Sequence, residues 1–512
     1  MGANTTGLLF LTLLLVSGFI GTSSCNFSSA SATTEEATAN SSQNTPDLAH
    51  RIQRIENGLL LPVIVKGQPA IPMPLAERMR FFHTPGVSIA VINNNRIEWA
   101  RGYGVREAGN SEPVTTETLF QAGSLSKAVT ALAALRLGQQ GKLNLDEDVN
   151  RKFVSWKIPE NEFTREQKVT VRRILSHTAG LTNNSVGEYA FGTQLPTLLQ
   201  SLDGVKPANS PPIRVDYVPG SRFRYSGGGY TVLQQLLTDV ERKAFPELMR
   251  ELVMAPLGMK RSTFQQPLPD GLRTSAAVGH GLNGEKIAGN WRVYPETAAA
   301  GMWSTPIELA YLLIEVQQAK AGRSHKILTP ATVKQMLTPQ TGGWGLGFVV
   351  AGEGRNARFS HGGDTQGFNS VMVAYSDAGQ GAVIMTNSVR GNALLNEILR
   401  SIAREYGWSD YQPVERIVTR INRGVYDAYV GQYQLEISPD YTVAISVAAG
   451  KLMMEIKQPV GRIKAELLPE SETRFFRTDV DVQVTFVKDE RGQVNGLIVH
   501  QQGAEYRAKR IE

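Results

Sequence analysis

Cysteine is almost absent from the sequence: Cys25 is the only one among 512 residues. A single cysteine cannot form a disulfide within a monomer, and it cannot build a cysteine-based zinc site. Histidine is also scarce, with seven residues scattered along the chain and no His-Glu-x-x-His helix among them. These absences argue against a metalloenzyme, and we expect no metal ion.

Sequence signatures of nucleotide and nucleic-acid binding are missing as well. The chain has neither a phosphate-cradling P-loop nor a Gly-x-Gly-x-x-Gly turn that opens a helix after a strand. The formal net charge is +6, but no dense run of Lys and Arg accompanies it, which indicates only a mildly basic surface. We therefore expect no cofactor and no nucleic-acid partner.

An apolar run is present near the N-terminus, at residues 8–20, but it is short for a membrane span, which needs about 20 residues. It is followed by small residues directly before Cys25, a pattern typical of a secretory signal. We expect export to the periplasm or cell surface, with residues 1–25 as a signal peptide or a lipoprotein signal. In the second case, Cys25 would carry the lipid and tether the protein to a membrane. The alternative is a short signal anchor that stays attached.

Composition divides the rest of the chain into three parts. Residues 26–46 are mostly Ser, Thr, Ala, Asn and Glu with almost no large apolar side chain, which predicts a disordered linker. Residues 47–412 are long enough for a large globular domain with its own core. Residues 413–512 change to short alternating strands separated by turns, which predicts a small antiparallel barrel or sandwich.

Within residues 47–412, strand patterns stand at both ends and helical patterns lie between them. Residues 86–92 form an apolar run typical of a buried strand, and residues 96–100 alternate as a second strand after an Asn-rich turn. Strand patterns dominate again from about residue 344. The two ends are expected to meet in one antiparallel sheet flanked by helices, with a helical subdomain, so the predicted fold class is α+β.

Ser124 and Lys127 lie at the beginning of a predicted helix rich in Ala, Leu and Val. Residues three apart share a helix face. A serine hydroxyl is a weak nucleophile until a base takes its proton, and a lysine can be that base if burial lowers its pKa. The amide of Ser124, at the helix N-terminus, can supply half of an oxyanion hole. In the alternative interpretation, Ser124 only caps the helix and Lys127 is solvated.

Two further motifs follow. Tyr225 lies in the stretch Arg-Tyr-Ser-Gly-Gly-Gly-Tyr, and His-Gly-Gly-Asp occupies residues 361–364 on a predicted strand. In order with Ser-x-x-Lys, this set resembles the serine β-lactamase-like hydrolases, the family around class C β-lactamases, penicillin-binding proteins, D-Ala-D-Ala carboxypeptidases, D-aminopeptidases and related esterases. The resemblance covers roughly residues 85–406 and implies that family's fold.

The resemblance also implies a role for each motif. Ser124 would be the acylated nucleophile, and Lys127 would help to deprotonate it. Tyr225 would be the partner acid or base, with its phenol lowered toward phenolate by the lysine cation. His177 lies in a helix-ending turn and is expected to be structural.

The His-Gly-Gly-Asp strand would hold the substrate. His361 and Gly363 would line it, and the amide of Asp364 would be the second oxyanion donor. Glycine suits this position because the substrate must approach the backbone closely. For His361, a structural histidine with satisfied hydrogen bonds is the competing interpretation.

Two positions depart from the family pattern and bear on specificity. Gly227 replaces the usual Asn two residues after Tyr225, and His361 replaces the usual Lys, which removes a cation that pairs with a substrate carboxylate. We therefore predict an exported serine hydrolase that forms an acyl-enzyme with a small-molecule ester, amide or peptide, in the manner of an esterase or D-amino-acid peptidase. One alternative is a β-lactamase or D-Ala-D-Ala carboxypeptidase. Another is a non-catalytic ligand-binding or sensor protein on the same scaffold.

The C-terminal part has a resemblance of its own. The stretch Tyr-Val-Gly-Gln-Tyr at residues 429–433 resembles the lipocalin-like domains appended to some of these hydrolases. Such a domain could cover the active-site mouth, mediate oligomers or only stabilise the chain. The sequence does not indicate an oligomeric state.

Overall fold

A computed structural model describes most of the chain, namely residues 44–182, 186–437, 440–458, 461–501 and 503–511. The predicted signal at residues 1–25, with Cys25, lies outside the described residues, as does the predicted linker up to residue 43. The described chain forms two compact units. One contains residues 76–395, and the other contains residues 44–75 together with 396–511.

Helices and strands alternate in the larger unit, whereas the smaller unit is mostly strands. The helices, in chain order, are α1 Asn44–Glu56, α2 Leu75–Phe81, α3 Leu125–Gln139, α4 Val171–Leu175, α5 Leu198–Asp203, α6 Gly227–Glu241, α7 Phe245–Met249, α8 Ala255–Leu257, α9 Asp270–Arg273, α10 Thr297–Ala300, α11 Pro306–Lys320, α12 Pro330–Met336, α13 Gly391–Tyr406 and α14 Tyr426–Tyr429. The strands are β1 Val63–Val65, β2 Gly86–Asn93, β3 Arg96–Gly104, β4 Phe120–Gln121, β5 Tyr189–Ala190, β6 Arg292–Val293, β7 Trp303–Ser304, β8 Val349–Ala351, β9 Arg358–Thr365, β10 Phe368–Tyr375, β11 Gln380–Thr386, β12 Val414–Arg416, β13 Gly431–Leu435, β14 Thr442–Ala448, β15 Lys451–Gln458, β16 Gly461–Pro469, β17 Arg474–Phe476, β18 Gln483–Lys488, β19 Val494–Gln501 and β20 Ala504–Arg510.

A six-stranded antiparallel sheet forms the centre of the larger unit, in the order β3-β2-β11-β10-β9-β8. The early hairpin β2–β3 pairs with the late strand β11, so the two ends of this unit meet in one sheet, as predicted. The strand pattern at residues 345–350 becomes a strand only at Val349, because Gly347 has a φ of +96° and breaks the extended backbone. The predicted α+β class is confirmed.

Helix α3 lies inside the larger unit. Its Ala, Leu and Val residues cover every side, and nearly all of them are buried. A helix that is apolar all round has no face to offer to water. α10 packs against α3 and α6, and α11 lies across β2, β10 and β11. The first turn of α3, which carries Ser124 and Lys127, is thereby enclosed by protein.

The smaller unit contains α1, the short parallel pair β1–β12 and a barrel. Strands β13 to β20 pair in consecutive order, and β20 pairs back with β13, so the barrel is closed. The predicted β domain is thus an eight-stranded antiparallel barrel, which fits a lipocalin-like domain. Two strands were not predicted, β17 with three residues and β13 with five. Buried side chains fill the barrel, Tyr429, Tyr433 and Phe486 among them.

Among the described residues, no helix combines the length and apolarity that crossing a membrane requires.

Candidate functional site

The turn before α3 is fixed by hydrogen bonds that leave the Ser124 hydroxyl out. The Ser126 hydroxyl donates to the carbonyl of Gly123 at 2.6 Å and accepts the amide of Met302 at 3.1 Å. The amide of Ala122 donates to the carbonyl of Met302 at 2.9 Å. Ser124 stands at the N-cap position, but its side chain makes no capping hydrogen bond. The interpretation of Ser124 as a simple helix cap is therefore wrong.

Lys127 reaches Ser124 from one turn along the helix. Its Nζ lies 2.9 Å from Oγ of Ser124 and donates to the carbonyl of Ala299 at 2.7 Å. Only 2% of the residue is exposed, so the alternative of a solvated lysine is also wrong. Burial lowers the pKa of Lys127 to about 7, because a charged ammonium is costly away from water. A substantial fraction of the amine is therefore neutral at neutral pH.

Tyr225 completes the set around the nucleophile. Its hydroxyl hydrogen-bonds with the side chain of Ser124, and its ring centroid lies 5.0 Å from Nζ of Lys127. Burial raises the pKa of Tyr225, and the hydrogen bond with Ser124 opposes this only in part. The expected shift of the phenol toward phenolate is therefore wrong: the phenol is neutral, because desolvation disfavours its anion and the neighbouring lysine has itself lost much of its charge.

Strand β9 passes close to the nucleophile turn through Gly363 and Asp364. A two-residue turn joins β9 to β10, with Thr365 opposite Phe368 and Asp364 opposite Asn369. Hydrogen-bonded and non-bonded pairs alternate in an antiparallel ladder, so the amide of Asp364 points away from β10, toward the open edge of the strand. A Cβ placed on Gly123 would lie 2.8 Å from that amide nitrogen. The Asp364 amide is thus brought beside the turn that carries the nucleophile.

His361 is buried on the same strand, with 3% of its surface exposed. Its Nδ1 lies 2.6 Å from the carbonyl of Gly362, which can only accept, so Nδ1 carries the proton. Burial, assisted by the charge of Lys127, lowers the pKa of His361 to about 3. Its Nε2 has no hydrogen-bond partner within the described part of the chain. The ring is neutral and only half satisfied, so the structural-histidine interpretation accounts for one of its two nitrogens.

An aromatic wall connects Tyr225 with His361. The indole of Trp344 lies 5.6 Å from the ring of Tyr225 and 5.3 Å from that of His361, between ring centroids. Phe223 stacks on the same indole at 5.9 Å. Sequence reasoning missed Trp344, which lies where a region of strands was predicted to begin. It also missed the carbonyl of Ala299, for which no side-chain signal exists.

The structure thus assembles, within one unit, all the predicted site residues that it describes. They share a place around the first turn of α3, and they are Ser124, Lys127, Tyr225, His361, Gly363 and Asp364. Cys25, the predicted lipidation site, is outside the described residues. Within the described ranges, no group of three or more His, Cys, Asp and Glu residues is placed to hold a metal ion.

Comparison with protein families and relatives agrees with this architecture. Residues 75–405 match the Beta-lactamase family, and residues 416–510 match a domain of unknown function, DUF3471. The chain is 24% identical over 460 residues to Penicillin-binding protein 4* of Bacillus subtilis (strain 168), which covers 86% of this chain and 97% of that protein. It is 23% identical over 324 residues to Protein flp of Staphylococcus aureus (strain MW2), and it spans 60% of the length of that relative.

Solved structures show the same fold. The octameric penicillin-binding protein homologue from Pyrococcus abyssi superimposes with a TM-score of 0.55 at 21% identity, covering 85% of this chain and 98% of that one. D-amino acid amidase from Ochrobactrum anthropi SV3 covers 70% of this chain and 99% of its own, with a TM-score of 0.54 at 21% identity. EstCE1, a hydrolase with promiscuous acyltransferase activity, gives 0.54 at 21% identity, with 70% and 98% covered. Because the family model matches well over half of the sequence, the chain belongs to the Beta-lactamase family, whose homologues are serine hydrolases.

Proposed function

We propose that the protein is a hydrolase in which Ser124 is acylated by an uncharged ester or amide. The observation that carries the proposal is the contact between the buried Nζ of Lys127 and Oγ of Ser124 at 2.9 Å. A lysine whose pKa is lowered to about 7 can accept the hydroxyl proton. The carbonyl of Ala299 holds one N–H of the amine, which leaves the lone pair of a neutral amine for Ser124.

In the first step, Oγ of Ser124 bonds to the carbonyl carbon of the substrate while its proton passes to Lys127. The amides of Ser124 and Asp364 donate to the oxyanion that forms. The bond to the leaving group then breaks, and Lys127 returns the proton to it. The hydroxyl of Tyr225, which is neutral and hydrogen-bonds with Ser124, keeps the serine oxygen and the amine aligned. Attack by water on the acyl-enzyme reverses these proton transfers and frees Ser124.

The preference for an uncharged substrate rests on the charge of the site walls. His361 is neutral and donates its only N–H to a carbonyl, so it offers no cation to a substrate carboxylate. Gly227 brings no amide side chain to the site. Trp344 adds an apolar wall. An ester or a neutral amide therefore suits this site better than a β-lactam carboxylate or a peptide C-terminus.

Intact-mass spectrometry after incubation with a fluorophosphonate and, separately, with a penicillin tests the proposal. We expect rapid addition of one fluorophosphonate group, slower or no labelling by the penicillin, and no adduct in Ser124→Ala. Faster labelling by the penicillin would favour a β-lactamase or D-Ala-D-Ala carboxypeptidase instead. A folded wild-type protein that takes up neither reagent would reject catalysis and favour a ligand-binding or sensor protein.

We also propose that the protein is exported and tethered through Cys25. The support is the sequence alone, namely the apolar run at residues 8–20 and the small residues before the cysteine. Metabolic labelling with a radioactive fatty acid tests it, with Cys25→Ser as the control. Label that persists in Cys25→Ser, or no label in either protein, would reject lipidation at this residue.

A further inference from the structure

His177 makes two hydrogen bonds that bracket Tyr225 in the chain. Its carbonyl accepts the amide of Arg224 at 2.8 Å, and its ring Nδ1 accepts the amide of Ser226 at 3.1 Å. Both residues next to Tyr225 are thus held by the same residue. The backbone of Tyr225 is therefore held on both sides.

The ring of His177 also faces the ring of Tyr225. Their centroids are 4.3 Å apart and their planes are inclined by 33°, a tilted stacking geometry. Trp344 packs edge-on against His177, with ring centroids 4.7 Å apart. His177 is 2% exposed, so this position is fixed by packing as well as by hydrogen bonds.

The arrangement requires a neutral imidazole of one tautomer. Because Nδ1 accepts the Ser226 amide, the proton of a neutral ring is on Nε2. The backbone of His177 has a φ of +57°, a left-handed conformation that Asn adopts more readily than most residues.

We propose that His177 is a positioning residue that sets the hydroxyl of Tyr225 at Ser124 and Lys127. This inference rests on the proposed function, since it assigns His177 a part in the acylation of Ser124. Nothing in it requires His177 to touch the substrate. The residue acts only through Tyr225.

The competing account, in which His177 merely stabilises the local fold, makes a different prediction. The N-terminus of α6 has its own cap, because the hydroxyl of Ser226 accepts the amide of Gly229 at 2.9 Å and donates to the carbonyl of Thr182 at 2.9 Å. Ser226→Ala removes this cap but keeps the Ser226 amide that His177 holds. It is therefore the matched control for loss of local stability without loss of the Tyr225 clamp.

The test measures kcat and KM for p-nitrophenyl acetate, with unfolding followed in parallel. His177→Ala removes the acceptor, and His177→Asn keeps an acceptor oxygen and tolerates the left-handed backbone. We expect kcat to fall about 10- to 100-fold in His177→Ala, because small displacements of catalytic groups have effects of this size. KM should change less, and His177→Asn should recover most of the loss. Ser226→Ala should lower the unfolding temperature with a smaller effect on kcat.

A double-mutant cycle with Tyr225→Phe gives the decisive comparison. If His177 acts through the Tyr225 hydroxyl, His177→Ala should cause no further loss once that hydroxyl is gone. An equal loss in the Tyr225→Phe background, or a folded His177→Ala with the kcat of the wild type, would overturn the inference.

Two further outcomes complete the test. If His177→Ala does not fold, a folded His177→Asn with nearly normal kcat supports the inference, and a folded His177→Asn without activity overturns it. If the wild type neither hydrolyses the ester nor takes up a fluorophosphonate, the proposed function fails and the inference falls with it. If the wild type is active and the His177 variants keep its kcat, the inference about His177 is rejected and the proposed function stands.

Discussion

Gly363 packs directly against the carbonyl oxygen of Ala122, one residue before the Gly123–Ser124 turn. A Cβ on Gly363 would overlap that oxygen and the hydroxyl of Ser370, both of which are fixed. The Ser370 hydroxyl donates to the carbonyl of Ala122 at 3.0 Å, so neither oxygen can move aside without breaking this hydrogen bond. The nucleophile turn and the β9 strand therefore stand at a distance that only glycine permits.

Gly363→Ala should consequently displace the Asp364 amide from the turn. We expect the second-order rate constant for fluorophosphonate labelling to fall about 10²-fold or more, the size seen when one oxyanion donor is lost. Gly362→Ala is the matched control, because a Cβ there meets no atom within 4 Å. Equal labelling rates in the two variants would contradict this use of the strand.

The pH dependence of labelling should report Lys127. Its pKa of about 7 belongs to the folded protein, and the active form is the neutral amine. The rate should therefore rise roughly tenfold per pH unit below about pH 7 and level off above it. Burial raises the pKa of Tyr225, so no phenol ionisation should interrupt the plateau up to about pH 9. A rate that is highest at acid pH would mean that the protonated lysine is required.

Replacing His361 by lysine should lower the pH at which the labelling rate reaches its plateau. A second cation near Lys127 disfavours the protonated amine, so the acid limb of the labelling profile should shift to lower pH in His361→Lys. His361→Gln, which is neutral like the native ring, should leave the limb in place. The new cation should also speed labelling by a penicillin relative to the fluorophosphonate. An unchanged limb in a folded His361→Lys would show that residue 361 lies electrostatically apart from Lys127.

Lys127 should also cost the protein stability. Its pKa is lowered from 10.5 to about 7 on folding, so between these values the unfolded chain binds more protons and stability rises with pH. Lys127→Met removes this dependence. The difference in free energy of unfolding between Lys127→Met and wild type should be larger at about pH 6 than at about pH 10, in favour of the variant. The change should be on the order of a few kcal/mol, because each pKa unit corresponds to about 1.4 kcal/mol.

Unfolding temperatures of both proteins at the two pH values measure this difference. The hydrogen bond from Lys127 to Ala299 is lost from the variant at both, so it cancels in the comparison. A gain that does not depend on pH would mean that Lys127 stays charged in the folded protein. Loss of ester turnover in the same variant would show that the buried amine is kept for chemistry at the expense of stability.

Much of the site could be predicted because its side chains occur in recognisable order. Ser124, Lys127 and Tyr225 belong to three motifs, and the order of those motifs along the chain resembles the order in a known family. The state of those groups could not be predicted, because it depends on burial. The resemblance implies a Tyr225 phenol whose pKa is lowered toward phenolate, whereas burial in the folded protein raises that pKa.

Contacts made by backbone atoms could not be predicted from the sequence either. The carbonyl of Ala299, which accepts from Lys127, and the carbonyl of His177, which accepts the amide of Arg224, are atoms that every residue has. For the fold, apolar runs and alternating patterns predicted the strands of the central sheet and six of the eight barrel strands. β13 and β17 were not predicted because strands of only five and three residues give little periodic signal.

The barrel contains an aromatic contact that separates packing from hydrogen bonding. Tyr429 is fully buried and stacks on Phe486 with centroids 4.0 Å apart and planes inclined by 12°. Its hydroxyl donates to the carbonyl of Glu472 at 2.6 Å. Tyr429→Phe removes only the hydrogen bond and should lower the free energy of unfolding by about 1 kcal/mol. Tyr429→Ala removes the ring as well and should lower it by about 3–5 kcal/mol.

Val430→Ala, at a half-exposed neighbour, is the control and should be close to neutral. Chemical denaturation of the full chain, followed by fluorescence and circular dichroism, measures all three, and equal effects of Tyr429→Phe and Tyr429→Ala would mean that the stack contributes nothing beyond its hydroxyl.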